Sequence, residues 1–284
     1  MLVLRTVPEL RAAILERRRA GDAIGFVPTM GFLHDGQLSL VRAARRQNGC
    51  VVVSCFVNPM VFQDQTELAS YPRDEGRDLA LLEREQADIA FLPDVHTIYP
   101  EGDVTRVTVE GLTRRLEGAS RPGYLDGLTT AMLKLIHLTG PARVYLGQKD
   151  AQRVVVTRRM LDDLFVNVEL VVCPTVRDPD GVAISAANRE LSIEERHAAS
   201  CLFAALEAAR KAYEAGERSA EVLRARMGEI IGAEPMARID YVSVADAHTL
   251  AELQRITGPA LALLAIWIGR TRLTDCQPLA WDAA

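Results

Sequence analysis

The chain has 284 residues, of which 49% are hydrophobic and 25% are charged, so we expect a soluble globular protein with a sizeable core. A net charge of −5 and 5% of aromatic residues argue against a nucleic-acid partner. No apolar run reaches transmembrane length and the start lacks the pattern of a secretion signal, so we expect a cytoplasmic protein without a membrane partner.

The first half of the chain alternates amphipathic helices with apolar strands. The runs at 23–28 and 50–57 lack polar alternation, which is typical of strands buried in a parallel sheet. Helical spacing predicts helices at 8–20 and 36–48 around the first run. Further along, the patterns predict helices at 73–85, 127–138 and 151–163 and strands at 87–92, 106–110, 143–146 and 168–173. Such β-α-β steps predict an α/β protein with a doubly wound parallel sheet, which binds ligands at the carboxyl ends of its strands.

A strong turn signal at 177–181, Arg-Asp-Pro-Asp-Gly, coincides with a change in composition. We therefore predict one domain at 1–176 and a smaller α+β domain at 177–284. In the second domain, the patterns predict helices at 194–215, 219–231 and 246–253 and strands at 238–244 and 260–267.

The stretch at 26–41 organises the rest of the first domain. Pro28 ends a buried strand, Gly31 permits a sharp turn, and a helix begins near Gly36. A strand that runs through a glycine turn into a helix aims unpaired N–H groups and a positive dipole end at one spot, which favours a phosphate. His34 lies at the mouth of this turn. The alternative is that the glycines only shape the turn and His34 caps the helix.

Other polar residues follow the ends of neighbouring predicted strands. Asn58 comes after the strand at 50–57, and Lys149 and Asp150 come after the strand at 143–146 and Gly147. A lysine there can stabilise charge on a transferring phosphate, although a surface lysine paired with Asp150 or Asp180 is the alternative. Five cysteines without CxxC spacing fit a reducing compartment and do not indicate a metal site.

The chain resembles the pantothenate synthetase family of the HIGH-type nucleotidyltransferase superfamily. The matching stretches lie at 27–31, 56–60, 71–73, 116–123, 147–150 and 180–188. The resemblance implies a Rossmann-like first domain, a small C-terminal lid domain and a homodimer. It also implies that ATP and Mg²⁺ activate an acid, pantoate in the family, as an acyl adenylate, which an amine, β-alanine, then attacks.

The resemblance also carries site residues onto this chain. It assigns ATP binding to Met30, His34, Gly147, Lys149, Asp150, Val176 and Ser185. It assigns the substrate region to Asn58, Val61, Tyr124 and Arg153. His34, Lys149 and the residue at 37 would act on the transferring phosphate.

Several positions depart from the family pattern. Gln37 replaces a histidine, so it donates a hydrogen bond but carries no charge and transfers no proton. Val61 and Arg153 replace two glutamines that bind pantoate in the family. Tyr124 replaces a histidine, and Ala186 and Ala187 replace a serine and an arginine of a triphosphate-binding loop.

Three functions follow from this mixture of retained and altered positions. The first is an ATP-dependent ligase that joins pantoate, or an altered acid, to an amine. The second is a catalytically silent homologue that serves as a binding or regulatory module, and the third is a nucleotidyltransferase that forms no amide.

Overall fold

The computed structural model describes residues 1–280, which separate into two compact units. The first unit comprises Met1–Gly147 and Val156–Cys173, and the second comprises Gln148–Val155 and the described residues from Pro174 on. The division into functional domains after residue 176 stays a prediction.

The first unit contains a six-stranded parallel sheet. Its strands are β1 (Leu2–Leu4), β2 (Ile24–Thr29), β3 (Cys50–Cys55), β4 (Ile89–Phe91), β5 (Arg143–Gly147) and β6 (Glu169–Cys173). Their order is β1-β4-β3-β2-β5-β6, so the chain moves outward from β2 to β4 and then returns to the other side of β2 with β5. The carboxyl ends of β2 and β5 therefore form the switch point where such sheets bind ligands. The prediction of a doubly wound parallel sheet is confirmed.

Helices lie between these strands along the chain. They are α1 (Val7–Arg19), α2 (Asp35–Gln47), α3 (Gln65–Ser70), α4 (Glu75–Arg84), α5 (Val95–Ile98), α6 (Glu117–Ser120), α7 (Tyr124–Thr139) and α8 (Ala151–Asp163), the last of which begins in the second unit. The apolar stripe of α2 buries Leu38, Val41 and Ala44 in a core cluster with Val27 and Val51 of the sheet. The helix start that carries the predicted site is thus fixed to β2 and β3 by hydrophobic burial.

The predicted strand at 106–110 is wrong. Residues 106–110 form no strand, although Val109 is buried. The N–H of Val107 donates to Thr130 Oγ1 (3.0 Å), and its carbonyl accepts from Thr129 Oγ1 (2.5 Å). Side chains of α7 thus satisfy this backbone in place of a neighbouring strand, and the alternation reflects packing of the segment against a helix.

The second unit contains an antiparallel sheet of three strands, β7 (Ala237–Asp246), β8 (Ala260–Ile268) and β9 (Thr271–Pro278), in that order. Its helices are α9 (Ile193–Ala198), α10 (Ser200–Glu214) and α11 (Ala220–Gly232). Leu206 and Leu223 pack with alternate residues of β8, including Ala262 and Leu264. The predicted α+β character is confirmed, although the helix predicted at 194–215 is interrupted at Ala199.

The predicted helix at 246–253 is wrong as well. The Asp246 carboxylate accepts the N–H groups of His248 (3.0 Å) and Thr249 (2.8 Å), which closes a local turn. Leu250 has a φ of +52°, and the chain returns so that the N–H of Leu253 bonds to the carbonyl of Val244. Asp246, the first residue of the predicted helix, therefore begins a reverse turn.

Across residues 1–280, the helices are all too short or too polar to cross a bilayer.

Candidate functional site

The turn after β2 has the sharp geometry that its glycine predicts. Gly31 has a φ of +74° and Phe32 a φ of +49°, so two successive residues lie in the left-handed region. Thr29 fastens the start of the turn, since its hydroxyl accepts the Gly31 N–H (3.1 Å) and donates to the Ser54 carbonyl of β3 (2.6 Å). The direction of the chain into α2 is therefore set at the carboxyl end of the sheet.

A buried carboxylate on α4 holds the same turn. The two oxygens of Asp78 accept the N–H groups of Phe32 (2.6 Å) and Leu33 (2.7 Å), and the residue is only 4% exposed. Burial raises the pKa of Asp78, and the two backbone bonds act in the opposite direction. Sequence reasoning missed this residue, whose signal is a carboxylate on the buried stripe of α4, one helical turn before Leu82.

His34 caps α2 with an extended backbone, at a φ of −134°. The Oε1 atom of Gln37 accepts the His34 N–H at 3.0 Å, which is the return bond of a capping box. Met30, His34 and Gln37 are thus brought together at the start of a 13-residue helix, beside the switch point of the sheet. The positive end of the helix dipole makes this a suitable site for an anion.

Asn58, after β3, is 4% exposed and bonded to three segments of the first unit. Its Oδ1 accepts the Met60 N–H (3.1 Å) and the Tyr99 hydroxyl (3.0 Å), and its Nδ2 donates to the Gly127 carbonyl (2.9 Å). Burial raises the pKa of Tyr99 to about 12, so its hydroxyl remains a donor at neutral pH. Asn58 therefore ties the loop after β3 to α7, and its place near an acyl substrate stays a prediction.

Val61 and Tyr124 share a neighbour that sequence reasoning did not single out. Arg121 donates to the Val61 carbonyl (2.9 Å) and to the Glu67 carboxylate (2.8 Å). Its guanidinium also lies 4.7 Å from the ring centroid of Tyr124. Val61 is 6% exposed, so this position presents an apolar side chain in a fixed backbone.

In the second unit, Lys149 and Arg153 lie on either side of Asp150. Lys149 Nζ is 3.4 Å from Asp150 Oδ1 and 3.3 Å from Thr274 Oγ1, while Arg153 Nη1 is 3.3 Å from Asp150 Oδ2. The ion pair between Lys149 and Asp150, one of the two alternatives that the sequence left open, is present. The Lys149 side chain is 22% exposed, so its ammonium is held in place and still reaches solvent.

Ser185 lies in a loop that is closed by its own side chains. The Ser185 hydroxyl donates to Asn188 Oδ1 (2.9 Å), and Asn188 Nδ2 donates to the Ala183 carbonyl (2.8 Å). Together with Lys149, Phe203 and Thr274, these residues line a cavity of about 20 Å³, which is room for one water molecule. Ala187 packs against the apolar core of the unit.

A buried ion pair supports the segment that carries Val176. Arg177 bonds to both oxygens of Asp275 on β9, at 2.5 and 3.0 Å, and its guanidinium lies 4.7 Å from the ring centroid of Phe203. Val176 accepts the Ile184 N–H at 3.0 Å across the turn. Nothing in the sequence links Arg177 with Asp275, which lies 98 residues further on.

The candidate residues therefore fall into two groups. The first unit contains Met30, His34, Gln37, Asn58, Val61, Tyr124 and Gly147, and the second contains Lys149, Asp150, Arg153, Val176 and Ser185. Within the first unit, Gly147 ends β5 beside β2, so the ends of β3, β2 and β5 are adjacent, as predicted. In residues 1–280, no cluster of three His, Cys, Asp or Glu side chains is arranged to hold a metal ion.

Comparison with known proteins agrees with this architecture. The family model described as pantoate-beta-alanine ligase matches residues 2–278. The pantothenate synthetase of Roseiflexus castenholzii is 51% identical over 275 residues, which cover 97% of this chain and 98% of the relative. The pantothenate synthetase of Herpetosiphon aurantiacus is 48% identical, over 97% of this chain and 99% of the relative.

Solved structures match over the full length. The pantothenate synthetase of Thermus thermophilus has a TM-score of 0.93 at 42% identity, covering 99% of this chain and all of that one. The pantoate-beta-alanine ligase of Francisella tularensis, solved in complex with beta-gamma ATP and beta-alanine, has a TM-score of 0.79 at 29% identity, and both chains are fully covered.

The six-stranded parallel sheet with its strand–turn–helix at the switch point, followed along the chain by a small antiparallel sheet, defines an α/β protein of the Rossmann-like class. The family model matches residues 2–278 and identifies one family within this fold class. The chain belongs to the pantoate–β-alanine ligase family, a family of ATP-dependent ligases.

Proposed function

We propose that this protein joins a carboxylic acid of the pantoate type to β-alanine, with ATP converted to AMP and pyrophosphate. The observation that supports this most is the full-length family match, which includes a relative solved with an ATP compound and β-alanine. An acyl adenylate is the chemically reasonable intermediate, because a carboxylate accepts an amine only after one of its oxygens has become part of a good leaving group. The amine then displaces AMP and forms the amide.

In this proposal, the phosphates of ATP bind at the N-terminus of α2 beside Met30 and His34. The helix dipole attracts the anion, and His34 donates a hydrogen bond to it. Gln37 contributes its Nε2 donor, since its Oε1 already accepts the His34 N–H. Lys149 stabilises the charge that develops on the α-phosphate, and Gly147, Asp150, Val176 and Ser185 complete the nucleotide site.

The acid and the amine would bind at Asn58, Val61, Tyr124 and Arg153. The side chain of Val61 has no hydrogen-bonding group, so a substrate hydroxyl that faces it would bind about 1–3 kcal/mol more weakly than one that faces a hydrogen-bonding side chain. Arg153 offers a guanidinium that pairs with a carboxylate. We therefore include acids with fewer hydroxyl groups than pantoate among the candidate substrates.

Other parts of the proposal follow from the family and from the composition. Mg²⁺ would enter as the counterion of the ATP phosphates, since this ion keeps several waters and uses few protein carboxylates. We propose a cytoplasmic homodimer without nucleic-acid or membrane partners, in which residues 1–176 and 177–284 act as separate functional domains.

A catalytically silent binding protein is the second candidate. Two observations favour it: the Gln37 side chain is used in capping α2, and Ala187 packs into the core of the second unit where the family has an arginine. Neither residue supplies a positive charge to a triphosphate.

The test is pyrophosphate release with ATP and Mg²⁺, comparing pantoate plus β-alanine with a panel of other acids. Release with pantoate supports the family reaction. Release only with another acid would identify that acid as the substrate. No release with any acid of the panel, together with no calorimetric binding of ATP, would support the second candidate.

A variant at Lys149 tests the assignment of the nucleotide site. Lys149→Met is expected to lower the turnover number about 10²- to 10³-fold, because a preorganised donor to the transition state is lost. Lys211→Met is the matched control, since Lys211 is 70% exposed on α10 of the same unit. Equal activity of the two variants would contradict the role of Lys149.

A further inference from the structure

The proposed reaction assigns no role to Asp78, yet its carboxylate bonds directly to the turn that leads into His34. The residue projects from α4, and both of its oxygens accept backbone N–H groups of the turn, at 2.6 and 2.7 Å. At 4% exposure it contributes little to the surface. Burying a carboxylate is costly unless hydrogen bonds or a neighbouring opposite charge compensate it, and here the turn supplies both hydrogen bonds.

The backbone of this turn has a disfavoured conformation that requires stabilising contacts. Gly31 tolerates its positive φ, but Phe32 carries a side chain at a φ of +49°, where L residues are disfavoured. Such a conformation persists only when the surrounding structure determines it. The Asp78 bonds to Phe32 and Leu33 fall on this disfavoured residue and the next one.

Asp78 and its neighbour Arg77 both lie close to the turn. A Cβ atom at Gly31 would lie 3.1 Å from Asp78 Oδ2, so the carboxylate fills the space beside the glycine. The neighbouring Arg77 places its guanidinium 5.1 Å from the centroid of the Phe32 ring and 3.7 Å from Asp78 Oδ1. Two successive residues of α4 therefore contact the turn, one at its backbone and one at its side chain.

Successive N–H groups in a left-handed turn form a concave site for an anion. Here that site is occupied by the protein's own carboxylate. These two N–H groups are therefore not available to a phosphate, whereas α2 begins just beyond them at Asp35 and its first turn favours an anion.

We propose that Asp78 is a positioning residue, which holds the N–H groups of Phe32 and Leu33 and so orients His34 and the start of α2 toward the phosphates of ATP. This inference rests on the proposed function for the presence of ATP at that helix start. Asp78 itself touches neither substrate nor reacting atoms in this role.

The experiment compares the full-length wild type with Asp78→Asn, which keeps the shape of the side chain but leaves one N–H of the turn without an acceptor. Asp74→Asn is the matched control, since Asp74 caps the same helix on the exposed side and asparagine caps equally well. For each protein, hydrogen exchange of the peptide that contains residues 30–34 is measured without ligand. Pyrophosphate release is then measured as a function of ATP concentration.

For Asp78→Asn we expect faster exchange in the turn and a KM for ATP raised about tenfold or more, because a small misplacement of binding groups is costly. A defect in folding alone would lower the turnover number with the folded fraction and leave the KM for ATP unchanged. Asp74→Asn is expected to match the wild type in both measurements.

Unchanged exchange in the turn, or faster exchange with an unchanged KM for ATP, would overturn the inference while an active wild type leaves the proposed function standing. A wild type that neither binds ATP nor releases pyrophosphate would remove the proposed function and this inference together.

Discussion

Two equally buried aspartates, one in each unit, support loops that carry candidate site residues. Different groups compensate the cost of burying each carboxylate. Asp78 and Asp275 are each 4% exposed. In the first unit, Asp78 receives two backbone N–H groups of a left-handed turn. In the second unit, Asp275 receives the guanidinium of Arg177 and the N–H of Cys276.

The difference shows that burial by itself does not decide how a carboxylate acts in a fold. Peptide dipoles are the main stabilising groups at Asp78, with a more distant contribution from Arg77, and they fix a backbone conformation. At Asp275 the main stabilising group is the bidentate guanidinium of Arg177, which joins two distant segments of the chain. Removing the first carboxylate leaves a neutral donor without its acceptor, and removing the second leaves the largely buried guanidinium of Arg177, whose side chain is 17% exposed, without its counterion. The cost should therefore be larger in the second unit.

The largest effect is expected for Asp275→Asn, which leaves the Arg177 guanidinium without a charged partner. Breaking a buried pair in this way costs about 3–5 kcal/mol in the free energy of unfolding. Asp178→Asn is the control, because Asp178 pairs with Arg196 at 2.7 Å but is 40% exposed, and exposed pairs contribute about 0–1 kcal/mol. Urea unfolding measures both, and similar losses would remove the special role of the buried pair.

A smaller loss is expected for Asp78→Asn. One N–H of the turn loses its acceptor, which costs about 1–3 kcal/mol. The same unfolding measurement compares this value with that of Asp275→Asn. If the variant in the first unit were the more destabilised of the two, the distinction between dipole and charge compensation would be wrong.

The smallest effect is a dependence on pH. Burial raises the pKa of Asp78 in the folded protein. The backbone bonds from Leu33 and Phe32 and the charge of Arg77 oppose this shift, and the charge of Asp74 supports it. The folded state therefore binds this proton more tightly than the unfolded state, in which the pKa is about 3.9. The stability of the wild type relative to Asp78→Asn should be greatest below about pH 4 and should decrease as pH rises through the raised pKa.

Asp103 provides a control of opposite sign. The hydrogen bond from Lys134 lowers the pKa of Asp103, so its contribution is present above about pH 4 and is lost as pH falls through the lowered value. The stability of the wild type relative to Asp103→Asn should thus be constant between about pH 4 and pH 7. Parallel pH profiles for the two variants would contradict the opposite shifts.

Much of the fold follows from local patterns in the sequence. The strand–turn–helix at 26–41, the parallel arrangement and the α+β character of the second unit were all predicted, because burial on both faces and helical periodicity leave direct traces in the chain. The predictions at 106–110 and 246–253 failed because side chains of α7 and the Asp246 carboxylate satisfy backbone groups that a strand or a helix would have paired. Hydrogen bonds of that kind leave no periodic pattern in the sequence.

Local motifs and spacings were enough to predict the family, the two kinds of sheet and the residues at the strand ends, since each of these depends on a few neighbouring residues. How these residues are held is visible in the tertiary structure alone. It showed that Gln37 accepts the N–H of the cap residue His34, that Asn58 bonds to Met60, Tyr99 and Gly127, and that Asp78 and Asp275 secure separate loops. Apart from the bonds of Gln37 to His34 and of Asn58 to Met60, these contacts join residues far apart in the chain, which become neighbours only when the hydrophobic core brings the elements together.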